Sequence, residues 1–272
     1  MYGLYQIVVF TIIDILNTMK SPFFIIILFI IYLQYYQVEK VESLDFERGK
    51  EIAVKLLIST TFGIVGGVIT TVTFIYLGIV AIPQDYLYVL FVVILLSFFD
   101  ARFICFSYGG ALVSLSNLIF GYPKVQTPQL MSVVAVLHMV ESILILLDGW
   151  RDKQPTFIVR GSSIVSGFKM NRFWAIPFVI FAGDDLIHPI TLIAMLGYGD
   201  YFVSGIAVKK AAETSFMLFL YSVILLYISK TMDNLFLGPL FALLGHEYIV
   251  LHNKVKENKA MSRLIRMKRE NP

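Results

Sequence analysis

The sequence predicts an all-α fold: a polytopic helical membrane protein of about 8–10 membrane segments, one of them broken or re-entrant, with a small cytoplasmic β-hairpin. Three observations predict it. First, 58% of the 272 residues are hydrophobic and only 15% are charged, where soluble domains have roughly 45–50% and about 25%. The mean hydropathy is +0.78. Second, long apolar runs alternate with short polar connectors. Third, basic residues crowd into some connectors and avoid others, the pattern that sets orientation in a bilayer.

The runs follow in order. Leu4–Leu16 carries Gln6, Thr11, Asp14 and Asn17, and is a first span or a helix lying in the interface. Lys20-Ser21-Pro22 breaks it, and Phe23–Tyr36 is a span. Glu39–Lys55 is a polar cytoplasmic connector, and Leu56–Val80 is a long span whose Gly63, Gly66 and Gly67 permit close helix packing. Tyr86–Phe99, Phe103–Phe120 and Met131–Leu147 complete an N-terminal membrane half, residues 1–150. The N-terminus has no basic region and no small-residue cleavage site, so no removable signal peptide is expected.

Residues 151–172 form the cytoplasmic insert. Arg151, Asp152 and Lys153 follow Trp150 at once, as at a membrane exit. Thr156–Val159 and Ile164–Phe168 are β-prone runs flanking Arg-Gly-Ser-Ser, a hairpin signature. Residues 173–252 are the C-terminal membrane half. Phe173–Ala182 is too short to cross, Gly183-Asp184-Asp185 interrupts it, and Leu186–Leu196 continues to Gly197, which suggests a broken or re-entrant helix. In that reading Asp184 or Asp185 caps the second piece, with His188 beside it. Thr214–Ile228 and Leu235–Leu251 are the last spans, and residues 253–272 are a basic cytoplasmic tail. With the hairpin and tail inside, all but Lys20, Lys124 and Lys230 of the 22 basic residues face the cytoplasm. Both termini of this cell-membrane protein are therefore expected there.

Ionisable groups at membrane depth are functional candidates by default. They are His138 with Glu141, Asp148, Asp184 and Asp185 with His188, and His246 with Glu247. His138 and Glu141 share a helix face, as do Asp184 and His188. Helix–helix hydrogen bonding accounts for them most simply. A sharper alternative is an intramembrane metalloprotease-like or transport protein, because Gly245-His246-Glu247 and Leu147-Asp148-Gly149 resemble fragments of site-2 protease zinc motifs. Those enzymes need two histidines one turn apart. Here position 250 is valine, His252 is off that face, and the fragments come in reversed order. No catalytic residue, metal ligand or cofactor is assigned. The single cysteine, Cys105, excludes an internal disulfide. Lys254, Lys256, Lys259, Arg263, Arg266, Lys268 and Arg269 give the tail a membrane-surface character, at about 1 kcal/mol per basic residue on anionic lipid. No nucleotide loop is present, and no nucleic-acid partner is expected.

Four longer segments carry a resemblance: Asp100-Ala-Arg-Phe-Ile-Cys-Phe-Ser-Tyr-Gly-Gly-Ala, Leu137-His-Met-Val-Glu-Ser-Ile-Leu-Ile-Leu-Leu-Asp-Gly-Trp-Arg, Gly167-Phe-Lys-Met-Asn-Arg-Phe-Trp-Ala-Ile-Pro-Phe and Pro239-Leu-Phe-Ala-Leu-Leu-Gly-His-Glu. They are similar to the membrane portion of MinJ-like, PDZ-containing membrane proteins of Gram-positive bacteria. The likeness covers most of the chain from about Asp100 onward. In that family a cytoplasmic PDZ domain follows the last helix, at the place where this sequence reaches Pro272. The resemblance implies a scaffold that positions division-site proteins of the Min and DivIVA type. It implies no catalytic residues. Expected partners are the lipid bilayer and such division proteins, and a homo-oligomer stays open.

Overall fold

The computed structural model describes residues 4–39, 45–160, 163–182, 188–203 and 205–270. Asp184 and Asp185 lie outside them, as does the expected interruption at Gly183. The elements are α1 (Leu4–Met19), α2 (Pro22–Glu39), α3 (Asp45–Leu77), β1 (Val80–Ala81), α4 (Pro83–Ser97) and α5 (Phe106–Phe120). They continue with α6 (Thr127–Leu144), which runs on through a π-turn at Ile145–Gly149, then β2 (Lys153–Arg160), β3 (Ser163–Ala182), β4 (His188–Phe202), α7 (Ala207–Thr231) and α8 (Leu237–Glu270).

The fold is therefore not all-α. A mixed four-stranded sheet accompanies the helices, with β3 paired parallel to β1, antiparallel to β2, and also to β4. Among the described residues, three helical stretches are long and apolar enough to cross a membrane: Gly49–Leu77, Thr127–Gly149 and Ala207–Thr231. A fourth counts if the pair Val9–Met19 and Pro22–Gln37, bent by 67°, is one span. At that bend Pro22 opens α2 and the Ser21 hydroxyl accepts the Phe24 amide, a helix start built from two local signals.

The largest correction concerns residues 173–202. The sequence reading makes Phe173–Ala182 and Leu186–Leu196 two pieces of a broken helix; Phe173–Ala182 is strand, and so is the second stretch from His188, where the described residues resume. From Asn171 to Ala182 nearly every side chain of β3 is buried. A strand covered on both faces loses its alternation and reads as one apolar run, which periodicity cannot tell from a buried helix. The aromatic and β-branched content of Phe173–Phe181, and Pro177 within it, favour the strand. The expected hairpin is present, from Lys153↔Met170 to Arg160↔Ser163.

Two compact units form, one of Met1–Ile82 with Phe173–Gly197 and one of Pro83–Arg172 with Tyr198–Pro272. In the first, α3 lies directly on the backbone of β3. A Cβ on Gly63 would stand 2.0 Å from the Ala175 carbonyl oxygen, and one on Gly67 would stand 1.9 Å from that of Pro177. One turn further, the Thr71 hydroxyl accepts the Val179 amide (2.9 Å) and donates to the Gly67 carbonyl (2.9 Å). One turn earlier, the Ser59 hydroxyl lies 2.7 Å from that of Tyr35, which accepts the Phe173 amide (3.2 Å). The register has a simple cause: four helix residues rise about 6 Å, and two strand residues about 6.6 Å. Phe24, Ile31, Tyr35, Ile52 and Ala175 form the core beside this seam.

In the second unit α6 is the central helix. It packs most extensively on α7, while α8 packs against α5 and α7. Helices α4 and α5 have 15 residues each, about 22 Å at 1.5 Å per residue and short of a ~30 Å core. The start of α4 and the end of α5 meet: the Asp85 carboxylate accepts the Gln126 amide, and the Tyr88 and Tyr122 rings touch. The two helices thus form a short hairpin whose tip, Phe98–Cys105, lies beside the first third of α8, at His246 and Glu247.

Candidate functional site

The tip of the α4–α5 hairpin carries Asp100, Arg102 and Cys105, and all three are fixed by short-range rules. Asp100 accepts the Arg102 amide, making the turn before α5. Cys105 is the N-cap of α5: its backbone is extended (φ −147°, ψ 135°) and its sulfur accepts the Ser107 amide at 3.3 Å. This capping places the half-buried Sγ where α6 and α8 each present a histidine.

His138 comes from the middle of α6, about 16 Å from its start at 1.5 Å per residue, and is 2% exposed. Its Nδ1 lies 2.7 Å from the Val134 carbonyl, one turn back. Nδ1 therefore carries the proton and donates, leaving the Nε2 lone pair free to face Cys105 Sγ at 3.2 Å. His246 of α8 brings its Nε2 to 3.6 Å from the same sulfur. The three atoms lie within 4.8 Å of one another. The imidazoles meet edge to face with centroids 5.3 Å apart. Glu141, one turn after His138, holds a carboxylate oxygen 3.9 Å from His138 Nε2.

Aromatic and hydroxyl groups fix the surroundings. Tyr221 of α7 packs edge-on against His138, and Tyr108 against His246. The hydroxyls of Ser107 and Tyr221 are 2.6 Å apart, and both reach the Ala242 carbonyl of α8. Glu247 turns away from the cluster: Arg102 donates to one of its oxygens (3.1 Å) and the Tyr108 hydroxyl to the other (2.5 Å).

A second buried site lies at the other end of α6. Asp148 sits in the π-turn, a helix irregularity frequent at functional positions, and is fully buried. Its Oδ2 accepts from Nε (2.8 Å) and a terminal nitrogen (2.5 Å) of Arg172, itself 2% exposed. Arg151 Nε stands 3.7 Å from the other oxygen. At the same end, Lys210 of α7 lies 3.1 Å from Glu257 of α8 and 3.5 Å from Asp200 of β4. Glu257 also accepts the Val203 amide. Burial pushes the Asp200 carboxyl above the usual carboxylate range, and the Lys210 ammonium opposes that rise.

Of the residues singled out from sequence, His138, Glu141 and His246 come together, Glu247 borders them, and Asp148 belongs to a separate ion pair. His188 opens β4 with an exposed side chain. His252 packs beside the Tyr248 ring on α8. Both Glu247 oxygens are engaged by Arg102 and Tyr108, and Asp148 is held by Arg172. The tail continues α8 as one helix, with Lys254, Lys256, Lys259, Arg263 and Arg266 exposed; Lys256 pairs with Glu213. The side chains of Lys268 and Arg269 are outside the described set.

Sequence reasoning passed over Cys105, Arg172, Lys210 and Glu257. A cysteine just before a small, polar helix start was the available signal for the first, since N-cap positions favour side chains that accept amide hydrogens. Nothing local marks Arg172 as the partner of Asp148, 24 residues away. Compared with protein-family models, curated proteins and solved structures, the chain matches none.

Proposed function

We propose that the chain is a membrane-embedded anchor and scaffold of the MinJ-like type, which crosses the cell membrane several times and helps position division-site proteins on its cytoplasmic face. The observation that carries this reading is where the four resembling segments fall. Asp100–Ala111 meets Leu137–Arg151 through Cys105 and His138. It meets Pro239–Glu247 through Cys105–His246, Ser107–Ala242, Tyr108–Glu247 and Arg102–Glu247. Leu137–Arg151 meets Gly167–Phe178 through Asp148 and Arg172. A likeness concentrated on the polar joints of one helical unit fits a shared architecture better than chance similarity of apolar runs, since polar groups at such depth are costly to keep.

The second unit supports an orientation. Thr127 and Met131 of α6, Ile228 of α7 and Gly238 of α8 line one cleft, so Lys124, in the loop before α6, and Lys230, in the last turn of α7, share one end. Gly149 packs on Tyr198, and Lys210 on Glu257, so Arg151, Lys153, Lys209 and the basic half of α8 share the other. Under the positive-inside rule the second end is cytoplasmic. The exposed lysines and arginines of α8 then face the anionic leaflet, and the β2–β3 hairpin projects on the same side as a docking surface.

Localisation of the full gene product tests the scaffold role. A fluorescent fusion in its native host should concentrate at septa and poles, and deletion of the gene should give filaments or minicells. An even distribution around the membrane, with normal division in the deletion strain, contradicts the proposal.

A further inference from the structure

The scaffold reading leaves the buried thiol–imidazole cluster without a role. We propose that Cys105, His138, His246 and Glu141 bind one borderline-soft divalent transition-metal ion of the zinc class, which clamps α5, α6 and α8 together. The proposal stands independently of the scaffold reading.

Four features point to such an ion. The first is size. A tetrahedral zinc ion with Zn–N near 2.0 Å and Zn–S near 2.3 Å holds its sulfur and nitrogen ligands about 3.5 Å apart. Cys105 Sγ stands 3.2 Å from His138 Nε2 and 3.6 Å from His246 Nε2. Two edges of a tetrahedral face thus already have about the required length, and all three donor atoms lie within 4.8 Å of one another. The Glu141 carboxylate, 3.9 Å from His138 Nε2, would swing inward to supply the fourth ligand.

The second feature is orientation. His138 donates Nδ1–H to a backbone carbonyl and thereby aims an unprotonated Nε2 at the centre. That arrangement fixes the tautomer of metal-ligating histidines. The third is an idle carboxylate: among the described residues the Glu141 side chain makes no hydrogen bond, and one of its oxygens stands 3.9 Å from the unprotonated Nε2 of His138. The fourth is charge. A divalent ion with one thiolate, one carboxylate and two neutral imidazoles sums to zero, which suits a site walled by apolar helices.

Ligand chemistry selects the class of ion. One sulfur and two nitrogens favour zinc-like metals over magnesium or calcium, which take oxygen ligands. Four protein ligands make a closed set, the mark of a structural site. Glu247, which a hydrolytic centre would need as a base, is already bound by Arg102 and Tyr108. Binding displaces the thiol proton to solvent and forms the metal–sulfur bond, with no change of oxidation state.

The test uses the full chain, stripped of metal in detergent and titrated with cobalt(II), then zinc(II). One equivalent of cobalt should bind with intense visible bands of tetrahedral coordination and a near-ultraviolet sulfur-to-cobalt charge-transfer band. One equivalent of zinc should bleach both. Cys105→Ser should remove the charge-transfer band, and His246→Asn should make binding substoichiometric, while Glu247→Gln keeps it. If Cys105→Ser does not fold, the charge-transfer band of the unsubstituted chain decides alone. A natively folded chain that takes up no cobalt, or a cobalt spectrum unchanged in Cys105→Ser, overturns the proposal. The cluster would then be a hydrogen-bonded triad only.

Discussion

Gly67→Ala should cost the first unit about 3 kcal/mol or more, the upper range for overpacking a tight contact. In a free helix the same change gains about 1 kcal/mol of propensity, so the sign of the result is diagnostic. The new Cβ would meet the Pro177 carbonyl at 1.9 Å. That oxygen belongs to strand backbone and cannot swing aside as a long side chain does. Separating α3 from β3 would also break the Thr71–Val179 bond. Gly49, in the first turns of the same helix, has open space around its Cβ position. Gly49→Ala should leave stability unchanged or slightly higher. Thermal unfolding of both variants in detergent measures the contrast, and equal melting of Gly67→Ala and the parent would mean that α3 does not lie on β3.

Arg172→Met should destabilise the second unit by about 3–5 kcal/mol, because it strands the Asp148 carboxylate in a buried position. Asp148→Leu should cost a similar amount by leaving the guanidinium unpaired. The pair itself is not the source of the stability: taking both charges from water consumes most of their attraction. Asp148→Leu combined with Arg172→Met should therefore recover much of either loss. The residual deficit reports the π-turn geometry and the partial contribution of Arg151, whose Nε is 3.7 Å from Asp148. Chemical unfolding of the two single variants and the double variant gives the cycle. Additive losses would show that the two side chains do not interact.

How far the fold was legible depended on which side of an element was covered. The β2–β3 hairpin alternates and carries a turn signal, so its strands were readable to within a few residues. Residues 173–182 are buried on both faces, lose that alternation, and imitate half of a membrane helix. Three helices announced themselves by length and apolarity, whereas α4 and α5 are too short to be told from full spans by composition alone. Within the site, His138 and Glu141 were visible as a pair because helical spacing puts them on one face. Cys105 was not, because its importance comes from a cap and two distant helices. The partners of Glu247 were not visible either: Arg102 at the hairpin tip and Tyr108 in the first turn of α5 lie 139 or more residues away.

Cysteine accessibility tests the central claim, a membrane-spanning second unit with its basic end in the cytoplasm, most directly. The chain has one native cysteine, so the parent provides the blank and labelling above it reports the introduced thiol. A membrane-impermeant thiol reagent added to intact cells should label Lys124→Cys and Lys230→Cys. It should reach Gly161→Cys only after permeabilisation. Labelling of Gly161→Cys in intact cells, or protection of Lys124→Cys and Lys230→Cys there, would contradict the arrangement.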